Sequence, residues 1–340
     1  MLLVRKTQAV IFLREVLGVT LAAEEIVLPA EDKQRDEKMQ NQEIHSGFIA
    51  LVGRANVGKS TLLNKIIGKK VSIVSSIPQT TRYQIRGILT QKDKVQIIFI
   101  DTPGLFTSRD RLNKYLRLSL NKAESDADII YYVVDITRPP GDEEDRLMRD
   151  LSKIKKPVIM VMNKMDKGQG YSADYITAWQ SNAAPMDNLK FYIPISAAEG
   201  KNIQELLSAT YPLLPIGPLY YPEDMVTDFP KELSASDIVR EKLFGFLKDE
   251  IPHELTVVID EIKERKNNLL YIKAIVLVNT VSQRQIVIGK KAVNLKTIGV
   301  LARKELEELF KKKIFLEIIV KAESKWRDDP EILEKLRFFD

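Results

Sequence analysis

The stretch GRANVGKS, Gly53–Ser60, lies between an apolar run, FIALV, and a helix-like segment, TLLNKIIG. It fits the pattern G-x-x-x-x-G-K-[ST] in a strand–loop–helix setting. Glycines at this spacing let consecutive backbone N–H groups turn onto phosphate oxygens, and the following helix N-terminus adds its positive dipole end. Lys59 is placed to neutralise β- and γ-phosphates, and the Ser60 hydroxyl to take a Mg²⁺ coordination position. DTPG, Asp101–Gly104, ends a second apolar run, VQIIFI. There Asp101 suits a magnesium-bound water, and the Gly104 N–H suits the γ-phosphate. NKMD, Asn163–Asp166, ends the run PVIMVM. A carboxylate at Asp166 can accept hydrogen bonds from both N1–H and the N2 amine of guanine. Adenine lacks that donor pair, and a site built on it discriminates by roughly 10⁴ or more.

A fourth motif, SAAEG at Ser196–Gly200, follows FYIPI and offers the Ala197 N–H to guanine O6. The NIQE behind it reads as a helix-capping sequence. Between the first two motifs lies IPQTTRYQIRG, polar and without strong periodicity. Composition alone fits a surface loop, but its place between phosphate loop and DTPG favours a switch. Thr80 and Thr81 are the candidates for closing over Mg²⁺ and the γ-phosphate, with Thr81 preferred.

Such residues need a frame. Five short apolar runs, FIALVG, VQIIFID, IIYYVVD, PVIMVMN and KFYIPIS, alternate with polar segments of helical period such as RLNKYLRLSLNKAE and DEEDRLMRDLSK. That alternation predicts an α/β domain: a mostly parallel sheet with helices on both faces and ligands beyond the carboxyl ends of the strands. Each motif above falls at such an end. Residues 212–230 contain five prolines, the composition of a stiff linker. Beyond them a smaller α+β unit is expected. It has a helix at SASDIVREKLFGFLKDE, strands at ELTVVIDEIKE and LLYIKAIVLVN, and a short apolar run into IVIGKKAVNLKTIG. A helix through LARKELEELFKKK and a last strand, IFLEIIVKA, complete it.

The expected domains are an extension at 1–45, a first domain at 46–211, the linker at 212–230, a second domain at 231–332 and a tail at 333–340. The extension carries EDKQRDEKMQNQE, which reads as solvated and flexible, and Met39 is an alternative start.

Composition narrows the classes. The 340 residues include no cysteine, which excludes disulfides and Cys-ligated zinc, and two histidines distant in sequence, which argues against a His-based metal site or a His-dependent triad. No run approaches the roughly 18 apolar residues of a membrane helix, and the N-terminus lacks a signal-peptide core, so the cytoplasm is expected. The formal charge of +5 leans towards an acidic partner. Residues 284–313 hold nine basic residues against three acidic ones, which concentrates that excess.

The motif order resembles translation-factor-type GTPases. Its wording (NVGKSTLLN, PQTTR, DTPGL, NKMD, ISAAEG) is similar to the Era family, as are YPEDMVTD, the GKK loop and KAESKWRDDP. The resemblance covers residues 47 to about 332. It implies a P-loop GTPase domain followed by a type II KH domain, whose G-x-x-G loop clamps about four nucleotides. The implied partners are GTP and GDP, the 3′ end of small-subunit ribosomal RNA and the small subunit during assembly. A monomer with weak peripheral membrane contact is also implied. Nucleotide contacts are implied at Gly53, Arg54, Ala55, Asn56, Val57, Gly58, Lys59, Ser60 and Thr61. Further contacts are implied at Asp101, Thr102, Pro103, Gly104 and Leu105, at Asn163, Lys164, Met165 and Asp166, and at Ser196 and Ala197. Lys59, Thr81 and Gly104 would carry catalysis. Ser60, Thr81 and, through water, Asp101 would hold Mg²⁺, and Asn56 would help hold K⁺.

Leu105 stands where Ras-like GTPases place a water-orienting glutamine, so intrinsic turnover is expected to be slow. The RNA contacts implied are Gly289, Lys290, Lys291, Ala292 and Lys296, with Ala292 in place of the loop's second glycine. Ile286, Val287, Ile288 and Ile298 are either core or base groove. Two other readings share parts of the pattern: an RNA-binding assembly protein with a vestigial nucleotide site, and a GTPase of the tRNA-modification type. The second does not account for the C-terminal unit.

Overall fold

The structure is a computed structural model that describes residues 44–74, 85–91, 95–101, 126–168, 170–182, 188–247 and 254–336. The first unit of the described chain is a six-stranded sheet. Its strands are β1 (His45–Val52), β2 (Ile85–Gln91), β3 (Val95–Asp101), β4 (Ile129–Asp135), β5 (Val158–Asn163) and β6 (Leu189–Pro194), in the order β2-β3-β1-β4-β5-β6. All neighbours are parallel except β2, which runs antiparallel to β3. Strands β3, β4 and β5 are buried along their whole length, as expected of parallel strands covered on both faces.

Alternate residues supply two cores. Ile129, Tyr131 and Val133 join the helices α1 (Lys59–Ile67) and α4 (Ile203–Thr210) on one face. Ile130, Tyr132 and Val134 join α2 (Asp142–Leu151) and α3 (Ser172–Asn182) on the other. The strand order reverses at β1, between β3 and β4, and the crevice at such a point is where open α/β sheets bind ligands.

Two local expectations change. The end of IPQTTRYQIRG is not loop: Ile85–Gly87 begins β2, with Ile85 and Ile88 buried. Gly87 hides the pattern, because α1 packs so close that a Cβ there would lie 2.5 Å from Leu63 Cδ1. The NIQE segment does not cap by side chain. Asn202, the residue before α4, adopts left-handed geometry (φ 58°) and turns its amide to Pro194 O at 2.9 Å.

The proline-rich segment runs along the edge of this sheet. Buried Gln96 accepts from the N–H groups of Tyr220 (2.7 Å) and Tyr221 (3.0 Å) and donates to Tyr221 O (2.8 Å). Ile88 N donates to Val226 O, and Thr227 Oγ1 to Arg86 O. These bonds hold the strap to β2 and β3.

The second unit contains α5 (Lys231–Phe246), β7 (Leu255–Arg265), β8 (Leu269–Val278), α6 (Val281–Ile288), α7 (Val293–Phe310), β9 (Lys313–Ala322) and α8 (Pro330–Lys335). Its sheet runs β7-β8-β9, antiparallel then parallel. Helices α5, α6 and α7 share one core with the sheet, and Trp326 and Leu336 cover Val258 and Leu277 in another. The apolar run Ile286–Ile288, expected as a lead-in, is the last turn of α6.

Candidate guanine-nucleotide site and lysine loop

The turn after β1 is built by backbone geometry that few residues accept. Gly53 (φ 152°), Asn56 (φ 62°) and Gly58 (φ 101°) all have positive φ. A Cβ on Gly53 would stand 2.2 Å from Val133 O, and one on Gly58 2.2 Å from Asn163 Nδ2. Glycine is therefore required at both positions. Lys59 is buried at the start of α1, donating from Nζ to Gly53 O and Arg54 O, each at 2.8 Å. Burial pulls its ammonium down to about 8, against the opposing charges of Asp101 and Glu143. The neighbouring Arg54 is held by Glu143 (2.7 Å) and the buried Glu144 (2.9 Å) of α2.

Asp101 ends β3 facing Ser60. Its Oδ2 accepts from Ser60 Oγ at 2.6 Å and from Ser72 Oγ at 2.9 Å, while Oδ1 is buried without a hydrogen-bond partner. Burial pushes this carboxyl above the usual range, against the pull of Ser60, Lys59 and Ser72. A hydroxyl beside a carboxylate with one uncommitted oxygen is a donor set of the hard-oxygen kind that Mg²⁺ takes.

The other two motifs close around the same loop. Asn163 Nδ2 donates to Val57 O (2.8 Å), and Asn163 Oδ1 accepts from Ala197 N (2.9 Å). The Ala197 N–H, expected at guanine O6, thus has an acceptor inside the protein in this structure. Ser196 Oγ donates to Asp166 Oδ1 at 2.6 Å, leaving the exposed carboxylate oriented. Lys164 donates to Asn56 O (2.8 Å) and to Asp135 Oδ2 (2.6 Å). Lys164 and Thr137 together hold the Asp135 carboxyl below the usual range, outweighing its burial. Met165 packs against the face covered by α2 and α3; Ala55 lies within the loop and Thr61 follows it. Thr80, Thr81, Thr102, Pro103, Gly104 and Leu105 lie outside the described residues.

The second loop sits between α6 and α7. Gly289 (φ 73°, ψ 167°) ends α6, and Lys290–Ala292 form a single 3-10 turn closed by Ala292 N donating to Gly289 O at 3.0 Å. Lys291 (φ 52°) and Ala292 (φ 59°) are both left-handed. Lys290, Lys291 and Lys296 are exposed. The open question about the apolar residues resolves: Val287 and Ile298 are fully buried core, while Ile286 is 48% exposed beside the loop.

Two family descriptions match these units: "50S ribosome-binding GTPase" over residues 48–164 and "KH domain" over residues 250–327. GTPase Era of Geotalea daltonii is 40% identical over 300 residues, covering 88% of this chain and all of the relative. The chain belongs to the Era GTPase family. GTPase Era of Carboxydothermus hydrogenoformans is 41% identical over 284 residues, covering 83% of this chain and 94% of its own. Among solved structures, a variant of Aquifex aeolicus Era bound to GDP·AlF4⁻ superposes with a TM-score of 0.81 at 36% identity, covering 87% of this chain and 99% of that one. An Era complex with MgGDPNP and nucleotides 1506–1542 of 16S ribosomal RNA matches with the same score, identity and coverage.

As a member of the Era family the chain is a GTPase, with a P-loop domain followed by a KH domain. Sequence reasoning missed several residues that shape this Era-type site: Asn64, Ser72, Asp135 and Glu144. Asn64 closes the stretch NVGKSTLLN but was given no role, and the other three are single polar residues outside the motifs. The only signal for Asp135 was its position at the end of an apolar strand, where Asp101 and Asn163 also stand.

Proposed function

We propose that this chain is a GTP-driven switch that binds the 3′ end of small-subunit ribosomal RNA and assists assembly of that subunit in the cytoplasm. The observation that carries the RNA half is the Gly289–Ala292 loop. Two exposed lysines stand there on a tight turn at the start of α7, in a KH domain whose relative was solved with 16S nucleotides. Lys290, Lys291 and Lys296 supply phosphate contacts, and Gly289 and Ala292 shape the turn. Exposed Ile286 borders the base groove. Among the described residues no helix is long and apolar enough to cross a membrane. Peripheral membrane contact stays an implication of the family alone.

At the nucleotide end, the backbone from Gly53 to Thr61 and Lys59 hold the phosphates, and Asn163, Lys164, Asp166, Ser196 and Ala197 hold the base. Ser60, Thr81 and, through water, Asp101 are the residues to hold Mg²⁺, the ion that accompanies the nucleotide in the relative solved with MgGDPNP. The ion would neutralise charge developing on the β- and γ-phosphates. Thr81 and Gly104 complete the γ-phosphate contacts. Leu105 cannot hydrogen-bond water, so turnover without a partner is slow. Exposed Asn56, with its left-handed backbone, is the residue for a K⁺ ion in place of an arginine finger. The experiment is GTP hydrolysis by the full chain with and without a 3′-terminal 16S fragment, in K⁺ and in Na⁺ at matched ionic strength. Binding of the fragment with hydrolysis faster in K⁺ is expected. Equal rates in the two salts would remove Asn56 from the reading, and no binding would remove the RNA partner.

Ala292→Gly gives a sharper result. An L-residue in left-handed geometry costs about 1–2 kcal/mol. Added freedom of the unfolded chain returns about 0.4–1 kcal/mol of that. The variant is expected to be more stable by about 0.5–1 kcal/mol in urea unfolding, with RNA affinity equal or tighter. A marked loss of affinity would mean that the loop is not the clamp.

A further inference from the structure

The loop between α1 and residue 75 touches both halves of the molecule. On its inner side, Asn64 Oδ1 accepts from Val71 N (2.8 Å) and Ser72 N (2.9 Å), and Asn64 Nδ2 donates to Ser72 O (2.6 Å). This fixes the backbone around Ser72, a buried residue whose Oγ donates to Asp101 Oδ2 at 2.9 Å. On its outer side, Lys70 Nζ pairs with Glu241 of α5 (2.7 Å) and with Glu305 of α7. Lys242 bridges the same two carboxylates, and Val74 N donates to Glu241 Oε2 at 3.3 Å. Two residues apart in one loop, Ser72 grips the metal-site carboxylate and Lys70 grips the KH helices.

We propose that Ser72 is a positioning residue for Asp101, and that Lys70 makes its grip depend on where the KH helices sit. The proposal rests on the reading of Ser60 and Asp101 as the Mg²⁺ site. Only one oxygen of Asp101 is held; the other, Oδ1, is buried and uncommitted. Two donors on Oδ2 set the rotation of the carboxylate and therefore the direction of Oδ1. One of them, Ser60, has a metal role of its own, so Ser72 is the donor whose contribution is orientation alone. Partners of this kind, one step out from a metal, change metal affinity by about 10–100-fold when removed. At the outer end, two lysines and two glutamates alternate in a half-buried cluster, where opposite charges are less screened than in open solvent. Glu305 rides on the helix that starts at the RNA loop, about 20 Å away along one rigid rod. A load on that loop is therefore felt at Lys70, and through the Asn64-fixed turn at Ser72.

The test uses the full chain and a fluorescent GDP analogue. Affinity is measured in excess EDTA and across a Mg²⁺ titration. For Ser72→Ala the Mg²⁺ concentration at half effect is expected to rise about tenfold, with the EDTA affinity within about twofold of wild type. For the double variant Glu241→Gln, Glu305→Gln a shift in the same direction of about threefold is expected, although both residues belong to the KH helices and to none of the nucleotide motifs. If wild type shows no Mg²⁺ effect, the reading of Ser60 and Asp101 fails before this proposal is reached. If wild type responds and Ser72→Ala matches it, or loses affinity equally in EDTA, the positioning role is overturned. If the double variant matches wild type, the link to the KH helices is overturned.

Discussion

Replacing Lys59 by alanine is expected to lower kcat/KM for GTP by about 10³-fold or more, the scale on which a charged clamp on a transferring phosphoryl group acts. The ammonium lies buried at the base of the turn, already oriented by Gly53 O and Arg54 O. The other lysine that reaches this turn, Lys164, is committed to Asn56 O and Asp135. A second readout follows from its acidity. In the free protein burial lowers the group from 10.5 to about 8. Bound phosphates favour the ammonium, so nucleotide binding above about pH 8 takes up a proton. GTP affinity should then be flat below about pH 8 and fall as pH rises beyond it, by at most about tenfold per pH unit. The same linkage works in reverse on the apo fold. The unfolded chain keeps the proton up to about pH 10.5, so the cost of the buried charge is full below about pH 8 and fades above it. Lys59→Ala should lose this component of the pH dependence along with the activity. Hydrolysis within about tenfold of wild type would place the reacting phosphate elsewhere.

The framework of this site was readable because its chemistry is written in contiguous motifs at strand ends. Gly53–Ser60, Asp101, Asn163–Asp166 and Ser196 stand at the carboxyl ends of neighbouring strands, where the apolar runs placed them. Strands β3, β4 and β5 announce themselves because burial on both faces leaves no polar alternation to confuse them. Strand β2 did not, since it is an edge whose inward row includes Gly87 and whose outer row carries Arg86 and Thr90.

What escaped the sequence is mostly hydrogen bonding between residues far apart in the chain. Gln96 is an unremarkable glutamine inside VQIIFI until Tyr220 and Tyr221 arrive 124 and 125 residues later. Asp135 and Ser72 likewise acquire a meaning only when the fold brings Lys164 and Asp101 to them. Asn202 shows the converse, because a good capping residue is spent elsewhere once Pro194 O comes within reach. Periodicity reports which face of an element is buried, but it carries no information on the partner of a single polar side chain.

The choice of base should be reversible by one atom. Asp166 presents a carboxylate that Ser196 orients through Oδ1, and the residue itself is exposed at the mouth of the crevice. Guanine offers two donors on its Watson–Crick edge, N1–H and the N2 amine, and a carboxylate accepts both. In Asp166→Asn one of those acceptors becomes an NH₂ group, which faces the N2 amine donor to donor. An unmet pair of this kind at a charged site costs the hydrogen bond and the desolvation of both groups. GTP affinity is expected to fall by roughly 10³–10⁴-fold. Xanthine carries a carbonyl where guanine carries the amine and keeps N1–H, so the asparagine amide suits it in both positions. Binding of XTP should rise as binding of GTP falls, while the phosphate end, with Lys59 and Ser60 untouched, hydrolyses XTP in the variant at a rate close to that of GTP in wild type. This crossing of preferences separates recognition from folding, because a variant that merely unfolds loses both nucleotides. Loss of GTP with no gain of XTP in a folded Asp166→Asn protein would show that the carboxylate does not face the base edge.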